Sequence, residues 1–116
     1  MILPLLSFNH YLNWNEAKIT YLSLEGNSLH MDVSFLSFKQ ENHVKFSRKN
    51  PYMKLRIIFR EVKVLTDNYF SPLEKILSRF KGPYECYATS IENNHFVIDD
   101  CLKIACNEVE FKELPY

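Results

Sequence analysis

The sequence predicts an α+β fold: an antiparallel β-meander sheet packed against one main α-helix. Three observations carry that expectation. Several short runs alternate apolar with polar residues at a period of two, the signature of half-buried strands. The segment from Ser71 to Lys81 instead repeats its apolar residues at helical spacing. The strand-like runs follow one another closely, so neighbours in sequence can pair as neighbours in space. The 116 residues fit one domain spanning 1–116, burying roughly two-thirds of the surface that the unfolded chain exposes.

Met1-Ile2-Leu3-Pro4-Leu5-Leu6 is apolar, but Pro4 interrupts it and no basic residues precede it, so it reads as the start of the folded domain rather than an export signal. The first hairpin joins Ile19–Glu25 to a run in which Leu29, Met31, Val33 and Phe35 alternate with His30, Asp32 and Ser34. Gly26-Asn27 between them suits a two-residue turn with positive φ, and Phe38 is expected to close the strand. Residues 39–53 are a polar cluster in which only Val44 and Phe46 alternate, a loop with room for one short strand. Leu55, Ile57 and Phe59 then resume the alternation. Val62 and Val64 continue it in the opposite parity, which a bulge near Arg60-Glu61 would absorb.

The helix is the best-marked element. Ser71 is placed to cap it, Pro72 fits the first helical position, and Glu74 completes a capping box. Leu73, Ile76, Leu77 and Phe80 form one expected buried stripe, and Gly82-Pro83 ends the helix. Tyr84–Glu92 and His95–Ile98 read as a second hairpin turned by Asn93-Asn94, with Phe96 and Ile98 inward. Asp99-Asp100 marks a further turn. Leu102, Ile104 and Cys106 alternate after it, Asn107-Glu108 resets the phase, and Val109 and Phe111 form the last inward pair.

Charge is sorted along the chain although its formal sum is zero. Residues 1–38 carry a net −2, residues 39–81 carry 11 basic and 4 acidic groups for +7, and residues 82–116 carry 2 basic and 7 acidic groups for −5. The cationic middle and the anionic end either face each other in the fold or display two opposed patches.

Signatures of catalysis are missing. There is no Cys-x-x-Cys, His-x-x-x-His or calcium-loop motif, and Cys86, Cys101 and Cys106 are irregularly spaced, so neither a metal site nor a disulfide framework is expected. The three thiols fit a reducing compartment, and the expected location is the cytoplasm. His10, His30, His43 and His95 are scattered. With 2 glycines in the chain no Gly-rich phosphate loop can form, so no nucleotide cofactor, and no cofactor of any kind, is expected. Runs of apolar residues are too short to span a bilayer.

Two surfaces remain as binding candidates. The basic stretch Lys39–Lys63, interleaved with Phe46, Tyr52 and Phe59, is the feature closest to a nucleic-acid surface, but Phe59 falls in the inward register and the whole chain lacks a cationic excess. The acidic C-terminal third offers Asp99, Asp100, Glu108, Glu110 and Glu113 with Tyr84 and Tyr87, the mixed aromatic and charged character of a protein interface. Glu85, Glu92 and Tyr116 belong to the same third.

The order of elements also resembles a family. Asn13-Trp14-Asn15, the Ile19–Phe35 hairpin, the strand Leu55-Arg56-Ile57-Ile58-Phe59-Arg60-Glu61-Val62, the capped helix, and the strands around Phe96-Val97-Ile98-Asp99-Asp100-Cys101-Leu102 together resemble small bacterial immunity proteins of polymorphic or contact-dependent growth inhibition toxin systems. The resemblance covers roughly residues 13–113 and implies a non-enzymatic inhibitor, not an enzyme, that binds one cognate toxin domain. It assigns no individual residue. The alternative is a small nucleic-acid-binding or regulatory domain using the basic 39–63 segment.

Overall fold

The computed structural model describes residues 1–40 and 51–115; the expected short strand at Val44 and Phe46, His43 and Tyr116 lie outside them. The fold is α+β and its pairing is antiparallel throughout. The chain opens with β1 (Ile2–Pro4) and α1 (Leu5–Tyr11), followed by β2 (Lys18–Glu25), β3 (Ser28–Leu36) and a 3₁₀ turn at Ser37–Lys39. After the undescribed residues come β4 (Tyr52–Arg60), β5 (Val64–Thr66), α2 (Leu73–Phe80), β6 (Tyr84–Glu85), β7 (Thr89–Glu92), β8 (His95–Ile98), β9 (Leu102–Ala105) and β10 (Glu108–Glu113). The strands divide into a six-stranded sheet ordered β1-β10-β4-β3-β2-β6 and a four-stranded sheet ordered β5-β9-β8-β7.

The expected alternations are realised in burial. Leu29, Met31, Val33 and Phe35 of β3 and Met53, Leu55, Ile57 and Phe59 of β4 point into the core, with Leu29 opposite Phe59 and Phe35 opposite Met53. Positive φ at Gly26 turns the first hairpin, and positive φ at Asn93 and Asn94 turns the β7–β8 hairpin. Val109 and Phe111 on β10 are buried as expected, as are Phe96 and Ile98 on β8 and Leu102 and Ile104 on β9.

Where the chain changes sheets, sequence phase alone misleads. Val62 and Val64 change parity because β4 ends at Arg60, Glu61 adopts φ +50°, and β5 joins β9 in the other sheet. No bulge is needed. Asn107 is the matching exit, carrying the chain back from β9 to β10. The expected strand Tyr84–Glu92 is broken at 86–88, so that β6 pairs with β2 while β7 pairs with β8. Strand β3 stops at Leu36, and Phe38, in the 3₁₀ turn, is 74% exposed.

Two helical expectations are corrected. The N-terminal segment contains α1, whose Leu5 and Phe8 are buried; seven residues bounded by Pro4 leave too little periodicity to announce a helix. In α2 the N-cap position falls on Pro72, which has no side-chain acceptor, and Ser71 lies one residue outside it with its amide donating to Asp67, so no side chain caps the helix. Of the expected stripe only Ile76 and Phe80 are buried; Leu77 packs at the margin and Leu73 is exposed. Two residues beyond the helix, Gly82 holds φ +57°, where a Cβ would collide with the Tyr84 amide nitrogen and lie 2.8 Å from the Ile19 carbonyl oxygen. Only glycine fits there.

Both sheets and α1 meet on Phe8. Its ring lies 5.9 Å from Phe59 and 5.6 Å from Phe111 in the six-stranded sheet, 5.6 Å from Phe96 in the four-stranded one, and 6.2 Å from Trp14. Phe8→Ala should therefore cost about 3–5 kcal/mol of unfolding free energy, whereas Leu73→Ala should stay within about 0.5 kcal/mol. Urea titration of the two variants measures both, and a near-neutral Phe8→Ala would dissolve the proposed hub.

The cysteines give a second check. Burial pushes the Cys86 thiol up to about 12 and the Cys106 thiol up to about 11, while Cys101 is half-buried. Since the thiolate is the reacting form, iodoacetamide at pH 8 should modify Cys101 first. Cys86 and Cys106 should wait for unfolding, as mass spectrometry of the folded protein against the urea-unfolded protein will show.

Candidate protein-binding face

A buried carboxylate organises the approach to α2. Asp67 is 1% exposed, and its Oδ1 accepts hydrogen bonds from the amides of Tyr69 (3.1 Å) and Ser71 (2.8 Å) while Oδ2 accepts one from Arg79 Nη2 at 2.9 Å. Ser71's amide bond is the largest cause holding the Asp67 carboxyl below its ordinary range; burial opposes it, and the Tyr69 amide and Arg79 charge assist. The loop so fixed displays Tyr69 and Phe70, 76% and 85% exposed. Phe70 holds φ +51°, a backbone region that bulky residues seldom adopt. Such strain persists only where surrounding bonds over-determine the conformation. Here the Asp67 carboxylate and the Phe70 amide, which donates to the Asp67 carbonyl at 3.3 Å, do so.

A second aspartate does the same for the loop between β6 and β7. Asp99 Oδ1 accepts hydrogen bonds from the amides of Tyr87 (2.7 Å) and Ala88 (2.9 Å), and Oδ2 accepts one from the Tyr84 hydroxyl at 2.9 Å. Burial and that bond to Asp99 raise the Tyr84 pKa, keeping its hydroxyl a donor. Tyr84 also packs on Phe80 of α2, ring centroids 4.6 Å apart. Asp99 and Asp100 both have positive φ, and the Cys101 amide closes their turn onto the Ile98 carbonyl at 3.0 Å. Beyond it stands Tyr87, 67% exposed.

The two loops are joined at this turn. Asn68 Nδ2 donates to the Asp100 carbonyl, and Arg79 reaches both Asp67 and, at 3.4 Å, Cys101 Sγ. Three exposed aromatic side chains thus stand on a platform of hydrogen-bonded loops at one end of the four-stranded sheet.

Of the residues singled out from sequence, Tyr84, Tyr87, Asp99 and Asp100 come together here. Tyr87 and Asp100 are exposed, whereas Asp99 and Tyr84 are turned toward the loop and hold it. Glu108, Glu110 and Glu113 belong to β10 in the other sheet: Glu108 is exposed, Glu110 and Glu113 are half-buried. Sequence reading passed over Asp67, Tyr69 and Phe70. The available signal was an Asp followed at two and four residues by positions whose amides need partners before a helix, the pattern of an Asx turn.

The basic and acidic segments face each other across β4 and β10, where Glu108 lies opposite Arg60. Arg56 of β4 is bonded to Asp32 through Nε at 2.8 Å and Nη2 at 3.0 Å, a bond that raises the Arg56 pKa. Lys45, Arg48 and Lys49 lie outside the described residues. Among the described residues no group of three His, Cys, Asp or Glu side chains could hold a metal ion, and no helix is long and apolar enough to cross a membrane. Compared with protein-family models, with curated proteins and with solved structures, the chain matches none.

Because the fold depresses the Asp67 pKa, its contribution to stability is complete above the ordinary aspartate range and is lost as pH falls through the folded value. Asp67→Asn should therefore be less stable than the parent at pH 7, with the gap narrowing below about pH 4. Urea midpoints measured from pH 7 to pH 3 test this; a gap independent of pH would remove the charge from the account.

Proposed function

We propose that this chain is a non-enzymatic binding protein that neutralises a cognate bacterial toxin domain by stoichiometric association through the Tyr69-Phe70-Tyr87 face. The observation that carries a binding role is the combination of exposure and rigidity: Phe70 is 85% exposed yet fixed at φ +51° by a loop pinned to buried Asp67. Aromatic side chains carried on a backbone already held in place lose less entropy on docking than those on a mobile loop, and such residues dominate interface energies. The toxin as partner rests on the family resemblance in the order of elements.

In this reading Phe70 enters an apolar pocket of the partner, Tyr69 and Tyr87 contribute ring surface and hydroxyls at its rim, and exposed Asp100 meets a basic group. Asp67 and Asp99 act as positioning residues. Glu108, Glu110 and Glu113 are left to long-range steering, since Glu108 already faces Arg60.

The test is to express toxin domains encoded beside this gene with and without the chain, and to measure binding by calorimetry. Growth should be restored at a one-to-one ratio. Phe70→Ala should weaken binding by at least about 2 kcal/mol, near thirtyfold, with an unchanged melting temperature. If Phe70→Ala and Tyr87→Ala both bind and protect like the parent, this face is not the interface; if no neighbouring product is toxic or bound, the partner class is wrong.

A further inference from the structure

The six-stranded sheet has an outer face. α1, α2 and the four-stranded sheet pack on its inner face, and the pleat turns the alternate side chains of β10, β4, β3 and β2 the other way, where Lys18, Tyr21, Glu25, Arg60, Glu108 and Lys112 are exposed. Register sorts the charges on this face along the strands. Toward the Gly26-Asn27 turn stand Glu25, Arg60, Glu108 and Glu110, net −2; toward the other end stand Lys18, Lys54, Arg56, Lys112 and Asp32, net +3.

An antiparallel sheet can keep one face in water, but a face built only for water intersperses the two signs. Here like charges are neighbours: Lys112 lies directly opposite Arg56, and Glu108 and Glu110 are two residues apart on one strand. Such placements are destabilising within a single copy. The one close pairing at the boundary, Arg56 with Asp32 at 2.8 Å, leaves Lys18, Lys54 and Lys112 at one end and Glu110 at the other without an ion-pair partner among the described residues.

We infer that two copies of this chain pair through this face, turned end for end so that the acidic end of each lies on the basic end of the other. The symmetry follows from the charges. A two-fold axis along the strands would set acid on acid, whereas an axis across them, between the Glu110 and Lys112 rows, sets Glu110 over Lys112 of the second copy and Glu25 over Lys18, each pair occurring twice. Arg60 then meets Lys54, with Glu108 beside Arg60. Tyr21 and the half-buried Ile58 fall near the axis and supply apolar contact. Strands about 4.8 Å apart, rising about 3.3 Å per residue, give the four central strands a plane on the order of 500 Å² per copy. A standard interface covers about 800 Å² of accessible surface per partner, so a polar contact of this extent suits a dimer with a dissociation constant on the order of 10 μM. The face excludes Tyr69, Phe70 and Tyr87, and the inference does not depend on the function proposed above.

Sedimentation velocity on the full chain, from about 1 to about 500 μM, reads the association directly. The parent should pass from monomer to dimer in that range, and raising NaCl from about 50 to about 500 mM should weaken the dimer at least about tenfold. Lys18→Glu with Lys112→Glu, and Glu25→Lys with Glu110→Lys, should each be monomeric at concentrations where the parent is dimeric, with melting temperatures near the parent's. An equimolar mixture of the two variants should dimerise again, because each then meets the charges its own face now lacks. Should a double variant melt early, Lys112→Glu and Glu110→Lys alone replace the pair. The inference is overturned if the parent stays monomeric throughout, if the folded reversals dimerise like the parent, or if their mixture stays monomeric.

Discussion

The packing of Phe8 is the constraint on which the rest of the molecule depends. A six-stranded and a four-stranded sheet, each with one apolar face, bury those faces only if something fills the wedge between them. Phe8 does so from a helix of seven residues, touching Phe59, Phe111, Phe96 and Trp14. Trp14 extends the contact to Phe35, with ring centroids 5.0 Å apart and nearly perpendicular planes. Edge-to-face arrangements of this kind add about 0.5–1.5 kcal/mol per pair beyond burial. Because the four-stranded sheet is held to the larger one through this cluster, the loops at its end inherit a fixed position.

Those loops are then fixed locally by carboxylates. Asp67 and Asp99 each accept two backbone amides through one oxygen and a side-chain donor through the other, Arg79 in one case and Tyr84 in the other. Amide-to-carboxylate bonds are among the stronger hydrogen bonds in proteins, enough to hold Phe70, Asp99 and Asp100 in left-handed backbone conformations. A loop with so few freely rotating bonds can keep apolar rings in water without collapsing onto the core.

The pattern of legibility follows from which forces are local. Strands β3, β4, β9 and β10 were readable because one buried face imposes a period of two, whereas in β8 Val97 is buried along with Phe96 and Ile98; Asn93-Asn94 was readable because side chains tolerant of positive φ are few. The move from one sheet to the other at Glu61 was not readable: a bulge and a change of sheet give the same parity shift. Helix α1 escaped notice because Phe8 and Leu5 are its only buried anchors. At the proposed binding face, Tyr87, Asp99 and Asp100 are legible through composition, but composition assigns Asp99 to the surface. Its role became visible only with the amides of Tyr87 and Ala88 on its oxygen. Tyr69 and Phe70 look like ordinary core residues in sequence, since nothing local says that Asp67 will take the buried place instead.

The sorted charges acquire a different meaning once the strands are paired. Arg56 is held by Asp32 and Arg60 stands opposite Glu108, while Lys112 stands opposite Arg56, so two of the cations of β4 lie beside carboxylates on the outer face of the six-stranded sheet. A polyanion approaching β4 would meet those carboxylates as well as the cations, which reduces the counterion release that drives nucleic-acid binding. The Arg56 charge is satisfied within the large sheet, whereas the exposed Tyr69, Phe70 and Tyr87 stand at one end of the other sheet. Specificity there would come from the shape around Phe70 and the hydroxyls of Tyr69 and Tyr87, because a ring on a backbone already held in place fits fewer pockets than one on a mobile loop.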